Sequence, residues 1–265
     1  MEPIKFPIRI NRYLALKGIV TRRSADDLIK KRRVTINGRI AVLGDAVEKN
    51  DNVLVNTPHK HVGTYSYFAL NKPKDILTND PNPPKAGGRH EVFSPNPAEQ
   101  DGRRKVFKTK KEEKSIPDLV TDKRLFPVGR LDKDSTGLII LTNDGRVTDR
   151  LLNPTYDHEK EYVVDVDKKL TPHVLRILQQ GVMIEGYRTK PSKTLFINDK
   201  TFRIILGEGK KHQIRRMVAA MGFQVRSLKR VRIMNIHLGK LKEGEMREIT
   251  GDELSEFLKA LGLMA

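Results

Sequence analysis

Val128-Gly-Arg-Leu-Asp-Lys-Asp-Ser-Thr-Gly-Leu-Ile-Ile-Leu-Thr-Asn-Asp-Gly145 is the stretch from which the rest of the chain can be read. The apolar residues Leu138, Ile139, Ile140 and Leu141 predict a short strand covered on both faces, and Asn143-Asp144-Gly145 predicts the turn that ends it. Ahead of that strand, Asp132 sits in a loop flanked by Gly129 and Gly137 and accompanied by Arg130 and Lys133. A carboxylate on a loop held by a buried strand is placed for chemistry rather than for solvation. The neighbouring acid, Asp134, reads as a loop or capping acid.

The charge of the chain says what this carboxylate meets. Fifty-one Lys and Arg stand against 33 Asp and Glu, a formal net charge of +18 over 265 residues. Such an excess concentrates polyanions and speeds encounter with them, which points to nucleic acid. The excess is not uniform. Residues 1–60 hold 13 basic and 6 acidic side chains, and residues 201–240 hold 10 against 1. The absence of cysteine excludes disulfide frameworks and thiolate metal sites. No early apolar run resembles a signal peptide and none is long enough to span a bilayer, so a cytoplasmic protein is expected.

Outward from Asp132, the N-terminal 60 residues predict a compact module. A helix starts at Arg9-Ile-Asn-Arg-Tyr-Leu14 and ends at Gly18; Thr21 caps a second helix over 22–33 with Ala25, Leu28 and Ile29 on one side. Val34-Thr-Ile, Asn37-Gly38 and Arg39-Ile-Ala-Val42 then read as strand, hairpin turn and strand. A larger domain occupies 61–265, interrupted at about 79–114 by a Pro-, Gly- and charge-rich loop or insertion. Within it, Tyr65-Ser-Tyr-Phe-Ala-Leu-Asn-Lys72-Pro73 reads as a strand stopped by proline. Further strands are predicted over 158–166, 193–197 and 201–206, and helices over 147–152 and 172–180. Gly207-Glu-Gly-Lys-Lys-His-Gln-Ile-Arg-Arg-Met217 is a glycine hinge leading into a helix whose buried stripe is Ile214, Met217, Val218 and Met221. On that helix Arg216 points away from the core and Arg215 lies at the stripe's edge. Thr250 and Glu253 predict a capping box for a last helix that buries Leu254, Phe257, Leu258 and Leu261.

The first module resembles the alpha-L RNA-binding domain of ribosomal small-subunit protein four, on Arg12, Tyr13, Arg22, Arg23 and Lys30, Lys31, Arg32 and Arg33. The resemblance implies that these basic residues press on the phosphates of folded RNA. Three ordered motifs in the larger domain, Gly129-Arg-Leu-Asp132-Lys-Asp-Ser-Thr-Gly137, Lys160-Glu-Tyr162 and Gly209-Lys-Lys-His-Gln-Ile-Arg215-Arg-Met217, resemble the RsuA-type ribosomal RNA pseudouridine synthases. Details at Asp157-His158-Glu-Lys-Glu-Tyr162 and from Arg232 to Glu245 are most like the RluF subgroup, which acts on large-subunit RNA.

This resemblance implies an α+β fold, a mixed and mainly antiparallel sheet bent around a central catalytic cleft. It implies an isomerase that breaks the C1′–N1 bond of a flipped uridine and rejoins the uracil through C5, with no cofactor, no metal and no obligate protein partner. Asp132 is then the catalytic carboxylate, Tyr162 the ring that stacks on uracil, and Arg215 the cation paired with Asp132. Lys72, Arg130, Lys210 and Lys211 become RNA contacts. His212 reads as structural or RNA-contacting. Many members carry glycine where this chain has Asp75, which leaves the shape of that turn open and with it the contact assigned to Lys72. Small-subunit or transfer RNA targets, and a non-catalytic ribosome-assembly role, stay open beside the large-subunit reading.

Overall fold

The computed structural model describes residues 6–17, 19–20, 22–56, 65–79 and 114–264, with the backbone alone at 22–24. Gly18, Thr21 and most of the 79–114 insertion lie outside the described residues.

The apolar run that follows Asp132 is the strand expected, extended at both ends, Thr136–Thr142. It belongs to a mixed sheet whose main strands are β1 Tyr67–Lys72, β2 Thr136–Thr142, β3 Lys160–Val166, β4 Lys193–Asn198, β5 Thr201–Leu206, β6 Val225–Ile233 and β7 Met246–Glu248. Their order across the sheet is β4-β5-β3-β6-β2-β1-β7. The β6–β2 pair is parallel and its neighbours along this path are antiparallel. Short strands Phe126–Val128 and Ile236–His237 pair with β2 and β6.

Both faces of β2 are covered. Leu138 and Ile140 pack with Ala69, Val147, Leu151 and Phe257, whereas Ile139 and Leu141 pack with Leu70, Ile116 and Val120. An unbroken apolar run is what two covered faces require, and each such side chain contributes about 1.5–3 kcal/mol by its burial. The other half of the sheet buries Val164, Phe202, Ile204 and Leu228 against Leu178 of the helix Pro172–Gln180 and against Ile214, Met217 and Val218 of the helix Gln213–Ala220.

Strand β6 is absent from the sequence expectation. Four of its nine residues, Arg226, Lys229, Arg230 and Arg232, are basic, and its pairing with β3 shifts register twice. Those irregularities break the period of two that marks a strand. The segment therefore reads as a basic surface while it forms the middle of the sheet.

Three local expectations are corrected. Asp144 does not sit in a plain turn: it is buried and caps the helix Gly145–Leu152, accepting from the Arg146 amide at 3.0 Å. The Arg146 guanidinium and the Tyr67 hydroxyl complete its shell at 2.8 Å each. Burial, and then the Asp144 charge, push the Tyr67 phenol well above its ordinary range. The second helix of the N-terminal module is Arg22–Lys30, three residues shorter than expected. Arg32 turns left-handed at φ 57°, and the Arg33 amide reaches back to the Leu28 carbonyl at 3.0 Å, closing the helix in a Schellman-type end. Thr250 makes no side-chain cap on the last helix, Gly251–Ala260, and the Glu253 carboxylate, the other half of the expected box, is held by Arg247 at 2.6 and 2.7 Å. A bidentate guanidinium–carboxylate pair offers Glu253 two charge-assisted bonds where the box offers one.

In the N-terminal module the helices Ile10–Leu16 and Arg22–Lys30 cover small sheets around Leu14, Ala25, Ile29, Val34 and Val47. Asn37 and Gly38 both take positive φ, 52° and 82°, as the two-residue hairpin turn demands. Arg12 meets Asp149 of the larger domain at 2.6 Å. Among the described residues no helix is long and apolar enough to cross a membrane.

Candidate active site

Asp132 lies between Leu131 and the start of β2, and its loop is held from several sides. Thr78 Oγ1 donates to the Leu131 carbonyl at 2.8 Å and accepts from the Leu131 amide at 3.0 Å. The Ser135 amide donates to the Asp132 carbonyl at 3.0 Å, and the Asp75 amide to the Lys133 carbonyl at 3.0 Å. Asp75 adopts φ 63°, the conformation a glycine there would adopt at less cost. The turn thus keeps its left-handed shape without glycine, since Asp tolerates that region better than most side chains.

Lys72 requires a correction. It is fully buried, so it does not present itself to RNA. Its ammonium donates to the carbonyls of Ile76 at 2.7 Å, Pro73 at 3.0 Å and Lys133 at 3.1 Å, which uses its three N–H groups inside the loop. Burial pulls its pKa down to about 8 against the favourable charges of Asp132 and Asp134.

Each oxygen of Asp132 faces a nitrogen from the hinge and helix of the third motif. His212 Nε2 stands 3.4 Å from Oδ1 and Arg215 Nε stands 3.5 Å from Oδ2. Arg215 also approaches the buried Ser135 hydroxyl at 3.3 Å. His212 itself holds a left-handed backbone, φ 52°, at the start of the helix, a strained conformation that the surrounding loop must impose. The neighbouring Glu208 is that loop's buried hub: it accepts from the Tyr187 hydroxyl at 2.6 Å, the Lys190 amide at 3.0 Å and the Gln213 side chain at 2.6 Å. The ammonium of Lys210 lies 4.7 Å from the Tyr187 ring centre.

Asp132 and Tyr162 line one cleft of about 170 Å³, together with Arg130, Lys160, Lys210, His212 and Arg230. Tyr162 is half-buried on β3, directly across from Arg230 of β6. The cleft therefore offers an aromatic wall, a partly exposed carboxylate and a cationic lining. Arg130, Lys210 and Lys211 are exposed at or beside its rim, and Lys30, Lys31, Arg32 and Arg33 are exposed on the N-terminal module. The side chains of Arg22 and Arg23 lie outside the described residues. Arg12 is engaged by Asp149. Among the described residues no three His, Cys, Asp or Glu side chains gather as a metal site.

Lys160 and Arg230 line the cleft and were given no individual role from the sequence. Lys160 stood inside a quoted motif, two residues before Tyr162 and so on its face of the strand; that spacing was the available signal. Arg230 gave no signal, because its burial follows from the pairing of β6.

Comparison with known proteins agrees with this arrangement. The model of an RNA pseudouridylate synthase matches residues 66–220, and that of an S4 domain matches residues 8–53. The dual-specificity RNA pseudouridine synthase RluF of Escherichia coli K12 is 38% identical over 96% of this chain and 79% of its own length. Ribosomal large subunit pseudouridine synthase B of Bacillus subtilis is 32% identical over 96% of each chain. A solved pseudouridylate synthase superposes over 96% of this chain and 99% of its own, with a TM-score of 0.63 at 27% identity. With the fold, the ordered motifs and these relatives in agreement, the chain belongs to the RNA pseudouridylate synthase family and is an isomerase of the RluF and RsuA type that carries an S4 domain.

Proposed function

We propose that this enzyme isomerises a uridine of large-subunit ribosomal RNA, with Asp132 as the acting carboxylate, Tyr162 as the stacking platform and Arg215 as the cation that orients Asp132. The observation that carries the reading is the meeting of Asp132 with His212 and Arg215, at 3.4 and 3.5 Å, in the cleft that Asp132 shares with Tyr162. A carboxylate held between two nitrogen groups keeps its oxygens aimed, which a nucleophile or base requires. Tyr162 supplies a flat apolar surface with a polar tip, suited to a base taken out of its stack.

Extrusion of the uridine costs roughly a few kcal/mol. Phosphate contacts from Arg130, Lys210 and Lys211 at the rim, and from the basic residues of the N-terminal module, offset it. The division of labour follows: residues 1–60 hold folded RNA and residues 61–265 perform the chemistry. Such a target places the enzyme in the cytoplasm. The large-subunit target is supported by the Bacillus subtilis relative, named for that subunit. The Escherichia coli relative, named as dual-specificity, favours a second reading in which the same cleft also serves another RNA.

Asp132→Asn should abolish release of tritium from RNA labelled at uracil C5 while leaving RNA affinity intact. A variant that releases tritium at the parent rate removes Asp132 from the chemistry. Pseudouridine mapping in RNA from cells with and without the gene identifies the uridine and decides between one target and two.

A further inference from the structure

Arg230 is 3% exposed in the middle of the sheet. Its Nε donates to the Leu138 carbonyl at 2.7 Å, but its Nη2 is buried with no hydrogen-bond partner. Lys160, on the adjacent strand and also lining the cleft, uses its ammonium on the His158 carbonyl at 3.0 Å. Burial, and then the Arg230 charge, pull the Lys160 pKa down to about 8. The two acids of the same cleft are engaged elsewhere, Asp132 with His212 and Arg215, Glu208 with Tyr187, Lys190 and Gln213.

A buried guanidinium N–H without an acceptor carries an uncompensated desolvation penalty, and a second cation nearby adds to it. Such a pair is completed by a ligand that brings acceptor oxygens and negative charge into the cleft. Arg230 stands across from Tyr162 on the neighbouring strand, beside the ring assigned to the flipped base.

We propose that Arg230 and Lys160 are further catalytic residues, which hydrogen-bond a carbonyl oxygen of the flipped uracil and stabilise the uracilate formed when its C1′–N1 bond breaks. This deepens the isomerase reading above and rests on it. The pair of electrons of the C1′–N1 bond departs with the base and spreads over N1 and the carbonyl oxygens, while an Asp132 oxygen supplies the pair that bonds C1′. A ring pair at C5 then bonds C1′, and the bond between C1′ and the Asp132 oxygen breaks, its pair returning to the carboxylate. Loss of the C5 proton and uptake of one at N1 complete the isomerisation without oxidant or co-reactant. The two cations act at the stage where the base carries its charge, the electrostatic role of an oxyanion site.

The test compares Arg230→Gln and Lys160→Met with the parent in single-turnover tritium release, alongside RNA affinity and thermal melting. Each variant should be about 100-fold slower, as on removal of one oxyanion donor, at unchanged affinity. The same enzymes are then given RNA with 5-fluorouridine at the target, with consumption of that nucleoside followed by chromatography. Fluorine makes the departing base a weaker base that needs less stabilisation, so the loss in each variant shrinks. Equal losses on both RNAs, or parent-like rates, overturn the proposal. If Arg230→Gln fails to fold, Arg230→Lys and Lys160→Met decide it by the same comparison. A parent that releases no tritium sinks the isomerase reading instead; a parent that does, beside a dead Asp132→Asn and fully active Arg230 and Lys160 variants, sinks only this inference.

Discussion

Lys72 belongs to an Asn-Lys-Pro stretch that reads as a basic RNA contact, yet its ammonium is spent on three loop carbonyls beneath Asp132. Lys72→Met leaves those carbonyls without their donor and should destabilise the protein by about 1–3 kcal/mol. Tritium release should fall as well, because the Lys133 carbonyl is next to Asp132. The pH dependence has a definite sign. With a folded pKa of about 8 against 10.5 in the unfolded chain, the unfolded state holds more proton between these values, and stability at this site rises with pH across that window. The gap between parent and Lys72→Met, measured by urea denaturation, should therefore widen from pH 7.5 to pH 10. Lys160 shifts in the same direction but is present in both proteins and cancels. A constant gap rejects the buried ammonium.

At the scale of elements, the parallel contact of β2 and β6 is the joint that brings Asp132 and Arg230 to one cleft. Gly137 permits it: at φ 105°, a Cβ there would lie 2.2 Å from the Arg230 carbonyl oxygen and 2.7 Å from its nitrogen. Both obstacles are backbone, so the strands must part. Gly137→Ala should cost more than about 2 kcal/mol and most of the activity, read by thermal melting and tritium release. Gly145→Ala is the contrasting change, since a Cβ at the start of its helix meets nothing within 4 Å. It should be neutral or stabilise by about 0.4–1 kcal/mol. The helices Pro172–Gln180 and Gln213–Ala220 were legible because their apolar residues and the glycines that end them, Gly181 and Gly222, lie within a few turns of one another. Strand β6 was not, because its bulges and four basic residues hide its alternation.

Over the whole molecule, charge governs the encounter with RNA. Exposed Lys30, Lys31, Arg32 and Arg33 form one basic edge of the N-terminal module. Replacing all four by Gln should lower the slope of log affinity against log salt by about 3, and leave tritium release at saturating RNA unchanged. An unchanged slope would move the RNA off this edge. The sequence by itself determined the order of the motifs, the covered strand behind Asp132, the hairpin at Asn37-Gly38 and the basic character of the surface. Each of these is written within one or two turns of chain, where periodicity, caps and turn residues act. Only the tertiary structure decided that Lys72 is interior, that β6 runs parallel beside β2, and that Arg230 lies next to Tyr162. The Arg230 guanidinium bonds a carbonyl 92 residues away, and a charged side chain's burial depends on which distant strand pairs with its own. Local pattern says which face of a segment is apolar; the pairing of segments says which charges that face encloses.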